Sequence, residues 1–119
     1  MSPETCNAFC ASLPAATHVV QWGGADVWKV GGKVFAIARA QDNGEVAVSF
    51  KCSPLAFDIL REQPGLRPAP YLASRGMKWI QWQTPESMPD DALRDYLRES
   101  HRLAAAGLTR RLRLELGLA

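Results

Sequence analysis

The chain contains 119 residues, of which 47% are hydrophobic and 22% are charged, with a formal net charge of +2. This length and balance predict one globular domain spanning residues 1–119, and they exclude a disordered or strongly basic chain. No stretch approaches the roughly 20 apolar residues of a membrane span, and the N-terminus lacks a signal-peptide pattern, so we expect a cytoplasmic protein without a membrane partner.

The first half of the chain predicts a short helix followed by antiparallel strands. Ser2 before Pro3 is typical of a helix start, because serine caps the first turn and proline fits the first helical position. Residues 17–22 are rich in β-branched and aromatic side chains, and Gly23-Gly24 provides the turn of a first hairpin. A turn at 41–44 then precedes a strand with alternating apolar and polar side chains.

The hairpin around Gly31-Gly32 is the clearest local signal. Two glycines accept the positive φ angles of a two-residue turn, and this turn places Trp28 opposite Phe35. One face of the hairpin then carries Trp28, Val30, Phe35 and Ile37, and the other carries Val27, Lys29, Val34, Ala36 and Ala38. We expect the face with the larger side chains to meet the helices, because these side chains gain most from burial. In the alternative arrangement, Trp28 and Phe35 form an exposed aromatic platform.

The second half of the chain adds helices and one more strand. Ser53-Pro54 repeats the helix-start signal, and it is followed by an apolar stripe formed by Leu55, Ala56, Ile59 and Leu60. The Pro-rich segment 66–76 predicts an extended or irregular connection of the kind that often carries functional contacts. Residues 77–83 then enter the sheet, Asp90 opens the longest helix, and Thr109 caps a last one.

These elements predict an α+β fold. We expect an antiparallel sheet of about five strands with helices packed on one face, in the order α-β-β-β-β-α-β-α-α. Neither an internal repeat nor an interdomain linker interrupts this order.

Several stretches of the chain resemble the MmcQ/YjbR family. They are the hairpin 28–36 and the segments 50–54, 64–65, 70–72 and 78–79. With the order of the elements between them, the resemblance extends over nearly the whole chain. The resemblance implies a frataxin-like fold, also described as a double-wing fold, and a bacterial DNA-binding protein. The family is named as DNA-binding largely because of fold comparison, and a shared fold does not by itself establish a shared function.

The resemblance and the basic residues together select candidate phosphate contacts. Lys29 and Lys33 match the hairpin lysines of the family, and Lys51 matches the lysine after the fourth strand. A β-ribbon can lie against DNA, and lysine and arginine neutralise its phosphates. We expect weak binding of double-stranded DNA, with low sequence specificity, through Lys29, Lys33, Arg39, Lys51, Arg75 and Lys78.

Two alternatives to DNA binding remain open. In the first, the lysine stems cover apolar surface and their charged heads stay in water, as on many sheet faces. In the second, the chain is a protein-interaction or small-ligand-binding domain that uses the Pro-rich segment 66–76 and the exposed aromatic residues among Trp28, Trp79 and Trp82. The ordinary role of a tryptophan is nevertheless in the core.

The sequence lacks the signatures of an enzyme. His18 and His101 belong to no nucleophile, metal or acid–base motif, which favours surface or capping roles. Gly31-Gly32 precedes a strand and therefore does not form a phosphate loop, which needs a helix N-terminus. The odd number of cysteines, without metal-ligand spacing, favours reduced and buried thiols at Cys6, Cys10 and Cys52. We expect no catalytic activity, no metal site and no cofactor.

Overall fold

The computed structural model describes residues 1–70, 72 and 75–118. Its helices are α1 (Pro3–Ala11), α2 (Pro54–Leu60), α3 (Asp90–Ala106) and α4 (Arg110–Glu115). Its strands are β1 (Ala16–Gln21), β2 (Ala25–Val30), β3 (Lys33–Ala40), β4 (Val46–Lys51), β5 (Leu66–Pro68) and β6 (Trp79–Trp82). They form one antiparallel sheet in the order β1-β2-β3-β4-β6-β5. The α+β class is confirmed, and β5 is the strand beyond the predicted set.

Part of the predicted irregular connection is therefore regular structure. Residues 66–68 of the Pro-rich segment pair with β6 at the edge of the sheet, where Pro68 needs no further backbone donor. Of the remaining segment, Tyr71, Ala73 and Ser74 lie outside the described residues.

The predicted helix starts are confirmed by side-chain caps. The hydroxyl oxygens of Ser2, Ser53 and Thr109 each accept a hydrogen bond at 3.1 Å from a backbone N–H in the first turn. These caps satisfy donors that have no partner within the helix. The three helix starts are thus determined by residues local in sequence.

The hairpin register departs from the prediction at Phe35. Lys29 lies opposite Val34 as predicted, but Trp28 lies opposite Ala36, and Phe35 is left without a partner on β2. Phe35 is therefore the extra residue of a β-bulge, which reverses the alternation of the side chains that follow it. Trp28 and Phe35 are buried in the core as expected. The prediction that Ile37 shares their face is wrong.

The core lies between the helices and one face of the sheet. The sheet contributes Phe35, Phe50 and Trp82 to it, and α3 contributes Leu93 and Leu97. Leu93, Leu97, Ser100 and Ala104 recur at helical spacing and form the buried side of α3. We call the opposite face, which carries Ile37, Arg39, Ala47, Ser49 and Gln81, the open face.

The short helix α2 faces the core differently from the prediction. Its buried residues are Phe57 and Leu60, whereas Leu55 and Ile59 of the predicted stripe are 71% and 55% exposed. Phe57 has the largest apolar side chain of the helix, so burying it removes more apolar area from water. The helix consequently presents an apolar outer side.

Two further predictions concern histidines and cysteines. His18 is exposed, as a surface role requires, but His101 is buried, and its Nε2 lies 2.8 Å from the carbonyl oxygen of Pro14. His101 therefore connects α3 to the loop after α1, and its predicted surface or capping role is wrong.

The prediction of reduced and buried thiols is confirmed for Cys6, Cys10 and Cys52.

No helix within the described ranges combines the length and the hydrophobicity that crossing a membrane requires.

A hydrogen-bonded carboxylate joins α1 to the first hairpin. Asp26 accepts a hydrogen bond from Asn7 Nδ2 at 3.1 Å, and its other oxygen lies 2.8 Å from His18 Nε2. Asn7 Oδ1 in turn accepts from Trp28 Nε1 at 2.9 Å. The hydrogen bond with His18, and to a smaller degree the one from Asn7, lowers the pKa of Asp26.

This lowered pKa predicts a stability contribution that disappears in acid. Because the pKa of Asp26 is lower in the folded chain, the carboxylate stabilises the fold fully above its unfolded value of about 4. The contribution is lost as the pH falls through the folded pKa. The difference in free energy of unfolding between the wild type and Asp26→Asn, measured by urea titration, should therefore shrink below about pH 4. An undiminished difference at strongly acidic pH would contradict the prediction.

Candidate functional site

A cavity opens on the open face of the sheet. It has a volume of about 600 Å³. Strands β3 to β6, the turn between β1 and β2, and the segment after β5 all border it. Its lining residues, which we call the arginine pocket, are Trp22, Ile37, Arg39, Ala47, Ser49, Arg67, Pro70, Leu72, Arg75 and Gln81.

The floor of the arginine pocket is a row of side chains that crosses four strands. Ile37 lies opposite Ser49, Ser49 lies opposite Gln81, and Gln81 lies opposite Arg67. Residues directly opposite each other on antiparallel strands project from the same face of a sheet. The row therefore runs from an apolar end at Ile37 to a cationic end at Arg67.

Arg39 forms one wall and holds the rim of the pocket in place. Its Nη1 donates to the carbonyl oxygen of Gly23 at 3.4 Å, and its Nη2 donates to that of Trp22. Trp22 has a φ of +52°, a left-handed conformation that non-glycine residues rarely adopt. Its side chain is 54% exposed at the pocket rim. Arg39 thus stabilises the turn that presents the Trp22 ring to solvent.

Arg67 and Arg75 supply the remaining cationic groups. Arg67 Nε donates to Gln81 Oε1 at 2.8 Å, which fixes both side chains on the floor. Arg75 lines the pocket from the chain after β5, and its backbone N–H donates to the carbonyl oxygen of Leu72 at 3.1 Å. Both arginines are exposed. Among the described residues, no carboxylate forms an ion pair with any of the three guanidinium groups of this pocket.

Two of the predicted phosphate contacts, Lys51 and Lys78, lie in a separate groove. This groove has a volume of about 330 Å³ and is also lined by Cys52 and Leu103. Lys78 Nζ lies 4.9 Å from the centre of the Phe57 ring, a cation–π contact that gives this lysine a structural role. Burial raises the pKa of the Cys52 thiol to about 11, so the groove does not contain a reactive thiolate.

The two hairpin lysines lie on opposite sides of the sheet. Lys29 alternates with the core residue Trp28 and therefore belongs to the open face, although it does not line the arginine pocket. The side chain of Lys33 lies beside Gly107, the residue that ends α3. The contact is close, because a Cβ atom built onto Gly107 would be 3.3 Å from Lys33 Cε. A cation at this position interacts favourably with the helix dipole. The six predicted contacts therefore do not form one surface: Arg39 and Arg75 share the arginine pocket, and Lys51 and Lys78 share the separate groove.

Trp22, Arg67 and Gln81 line the pocket but were not among the site residues predicted from the sequence. Arg67 lies in the segment predicted to carry functional contacts, so its position in sequence was a usable signal. Trp22 is the last residue of the predicted strand 17–22 and directly precedes the predicted Gly23-Gly24 turn, so its position beside a turn was a usable signal. Nothing in the local sequence marked Gln81 as a site residue, because its role depends on the pairing of β6 with β5, which places it opposite Arg67.

Three guanidinium groups beside an exposed indole ring can bind an anion that carries a flat apolar part. Guanidinium groups form paired hydrogen bonds with phosphate or carboxylate oxygens, and aromatic rings stack against planar groups. Ser49 and Gln81 add neutral polar groups on the floor. No cluster of three or more His, Cys, Asp or Glu side chains suited to a metal ion occurs among the described residues.

The fold and the pocket define a small α+β domain with a cationic pocket on the open face of its sheet. The YjbR family model matches residues 11–103, and the chain belongs to the YjbR family. The crystal structure of the Deinococcus radiodurans protein DR2400, described as a DUF419 domain, matches with a TM-score of 0.82. The match covers 99% of this chain and 89% of that chain at 23% sequence identity, which shows a shared fold. No curated protein matches the chain significantly.

Proposed function

We propose that this chain is a non-enzymatic nucleic-acid-binding protein that holds phosphate groups in the arginine pocket. The observation that carries the proposal is the convergence of Arg39, Arg67 and Arg75 on one pocket without an ion-paired carboxylate among the described residues. The net charge of +2 is small, so a local concentration of cations matters more than the overall charge. Membership of the YjbR family also supports nucleic-acid binding, because the resemblance to this family implies a DNA-binding protein.

The three arginines have unequal roles in this proposal. Arg39 already donates to two backbone carbonyls, so its main contribution is to the shape and the positive potential of the pocket. Arg67 and Arg75 are the primary phosphate contacts. Lys29, on the same face outside the pocket, extends the cationic surface along a bound chain. Lys33, Lys51 and Lys78 are secondary contacts that a longer nucleic acid would reach.

The alternative function, a protein-interaction or small-ligand-binding domain with exposed aromatic contacts, would use a different tryptophan from those predicted. Trp28, Trp79 and Trp82 are only 7%, 3% and 0% exposed, so they cannot be the exposed aromatic contacts of a partner site. The exposed aromatic residue Trp22 and parts of the Pro-rich segment line the arginine pocket itself. The surviving alternative is thus a small anionic ligand in this same pocket.

Neutralising two of the arginines is expected to weaken nucleic-acid binding. The double variant Arg67→Gln and Arg75→Gln should lose at least about a hundredfold in affinity at low salt, because charge-assisted hydrogen bonds contribute about 1.5–3 kcal/mol each and about 1.4 kcal/mol corresponds to tenfold. The slope of log affinity against log salt should also become less negative by about 0.7–0.9 for each phosphate contact that is removed. Fluorescence anisotropy with labelled DNA, at about 50 to 200 mM salt, measures both quantities.

The matched control for this experiment is the double variant Arg110→Gln and Arg113→Gln, which also removes two positive charges. Both arginines are on α4, lie outside the pocket, and belong to no ion pair among the described residues, so their removal changes the net charge without touching the site. If the pocket variant bound DNA as tightly as the control, with the same salt slope, the arginine pocket would not be the phosphate site.

A further inference from the structure

We infer that the arginine pocket accepts a single unpaired nucleotide, with the base against Trp22 and the phosphate on Arg67 and Arg75. This inference rests on the proposed function and adds to it the class of ligand, namely single-stranded nucleic acid or a free nucleotide. Four observations carry it: the size of the cavity, the geometry of Trp22, the polar floor and the apolar walls.

The size of the cavity suits one nucleotide better than a duplex. Its volume of about 600 Å³ lies in the range of about 300–1,000 Å³ that is typical of small-molecule sites. A duplex keeps its bases stacked inside and presents them only at groove edges, so a base enters a pocket only after it is unpaired and extruded. A single strand offers the same phosphate charge with bases that are already free to insert.

The geometry of Trp22 is that of a stacking platform. It is 54% exposed, whereas the other three tryptophans are at most 7% exposed. Its backbone adopts a φ of +52°, and the guanidinium of Arg39 holds its carbonyl group. A strained conformation that is maintained by a specific contact is common at binding sites. An indole ring at a pocket rim beside cationic side chains is the arrangement that binds unpaired bases in many single-strand-binding proteins.

The floor offers polar groups for the edge of a base. Gln81 Oε1 accepts from Arg67 Nε, which leaves the amide nitrogen of Gln81 as a donor on the same face. The hydroxyl group of Ser49 lies beside it in the same cross-strand row, and it can donate or accept. In this row, Ser49 and Gln81 lie between Ile37 at one end and Arg67 at the other.

The walls beside these groups are apolar. Ile37, Pro70 and Leu72 line the pocket together with the polar row. An apolar wall excludes water from a flat aromatic base and strengthens the nearby charged hydrogen bonds, because the local dielectric constant is lower. The pocket thus combines the apolar and the anionic recognition that a nucleotide requires.

Competition and direct binding on the unmodified protein test this inference. The probes are a labelled oligodeoxythymidylate, a labelled duplex of the same length, adenosine monophosphate, adenosine and inorganic phosphate. We expect the single strand to bind about tenfold more tightly than the duplex, since stacking of one base contributes about 1–3 kcal/mol. Adenosine monophosphate should displace the single strand at lower concentration than either phosphate or adenosine alone.

The variants Trp22→Leu and Trp22→Phe test the stacking contact directly. Trp22→Leu should weaken single-strand binding about tenfold and change duplex binding by less than about twofold, whereas Trp22→Phe should retain most of the affinity. Because Trp22 is the exposed tryptophan, nucleotide binding should also quench the wild-type fluorescence in a way that Trp22→Phe abolishes. The competition experiment needs no variant and decides the question even if a variant fails to fold.

The outcomes separate this inference from the proposed function. Equal binding of the duplex and the single strand, unaffected by Trp22→Leu, would overturn the inference and leave phosphate binding in place. Binding of adenosine monophosphate without binding of either nucleic acid would support a nucleotide pocket and overturn the proposed function. Binding of none of the probes would overturn both.

Discussion

Replacing Trp82 with alanine is expected to lower the free energy of unfolding by about 3–5 kcal/mol, the usual cost of truncating a buried aromatic side chain. Trp82 is fully buried on β6, and its indole Nε1 donates to the carbonyl oxygen of Met88 at 2.8 Å. The substitution therefore creates a cavity and also leaves a buried carbonyl group without its donor. Urea titration followed by circular dichroism measures the change.

Trp22→Ala is the matched control because it removes the same side chain from an exposed position. Its effect on the free energy of unfolding should stay within about 0.5 kcal/mol. Trp82→Phe separates the two contributions at the buried site, since it fills most of the cavity but lacks the indole donor. Equal destabilisation by the two alanine variants would show that Trp82 does not hold the core together.

The fold could be predicted from the sequence wherever the signal is local. Capping residues such as Ser53 determine where helices begin, and the period of apolar residues in α3 identifies its buried side over many turns. The short helix α2 was different, because seven residues place apolar side chains on more than one side. Its spacing favoured Leu55, whereas packing selects Phe57. Strand β5 carries little signal of its own, since its three residues become a strand only by pairing with β6.

The site was less predictable than the fold for a related reason. Arg39 and Arg75 were recognised as basic residues of interest, but nothing in the sequence indicates that they meet Arg67. The floor of the pocket depends on the sheet order β4-β6-β5, in which strands that are neighbours in space are not consecutive along the chain. The face on which Arg39 lies depends on the bulge at Phe35. Without the bulge, Ile37 would face the helices, as the two-residue turn predicted, and the alternation of a strand would place Arg39 on the same side.

The bulge is held by a buried hydroxyl group from a distant helix. Ser100 on α3 is fully buried, and its Oγ donates to the carbonyl oxygen of Phe35 at 2.6 Å. The same Oγ accepts from the backbone N–H of Lys51 at 2.8 Å. The hydroxyl group thus bridges β3 and β4 at the point where Phe35 has left the ladder. A contact between residues this far apart in sequence cannot be inferred from the hairpin alone.

Replacing Ser100 with alanine is therefore expected to be costly for both stability and binding. The buried carbonyl group of Phe35 and the partly buried N–H of Lys51 each lose their partner, and an unsatisfied buried group costs about 1–3 kcal/mol. The bulge should loosen, so amide hydrogen exchange in residues 35–39 should accelerate more than exchange in β1. Because the bulge directs Arg39 toward the open face, Ser100→Ala should also weaken binding in the arginine pocket, although Ser100 itself lies on the opposite side of the sheet.

The control is Ser12→Ala, which removes an exposed hydroxyl group that donates to the carbonyl oxygen of Phe9 within α1. Its effect on stability should be within about 0.5 kcal/mol, because water replaces the lost hydrogen bond. Urea titration gives the stability of both variants, and mass-detected hydrogen exchange locates the loosened segment. If Ser100→Ala were as stable as Ser12→Ala and exchange in 35–39 were unchanged, the bulge would be determined by β3 and its neighbouring strands alone.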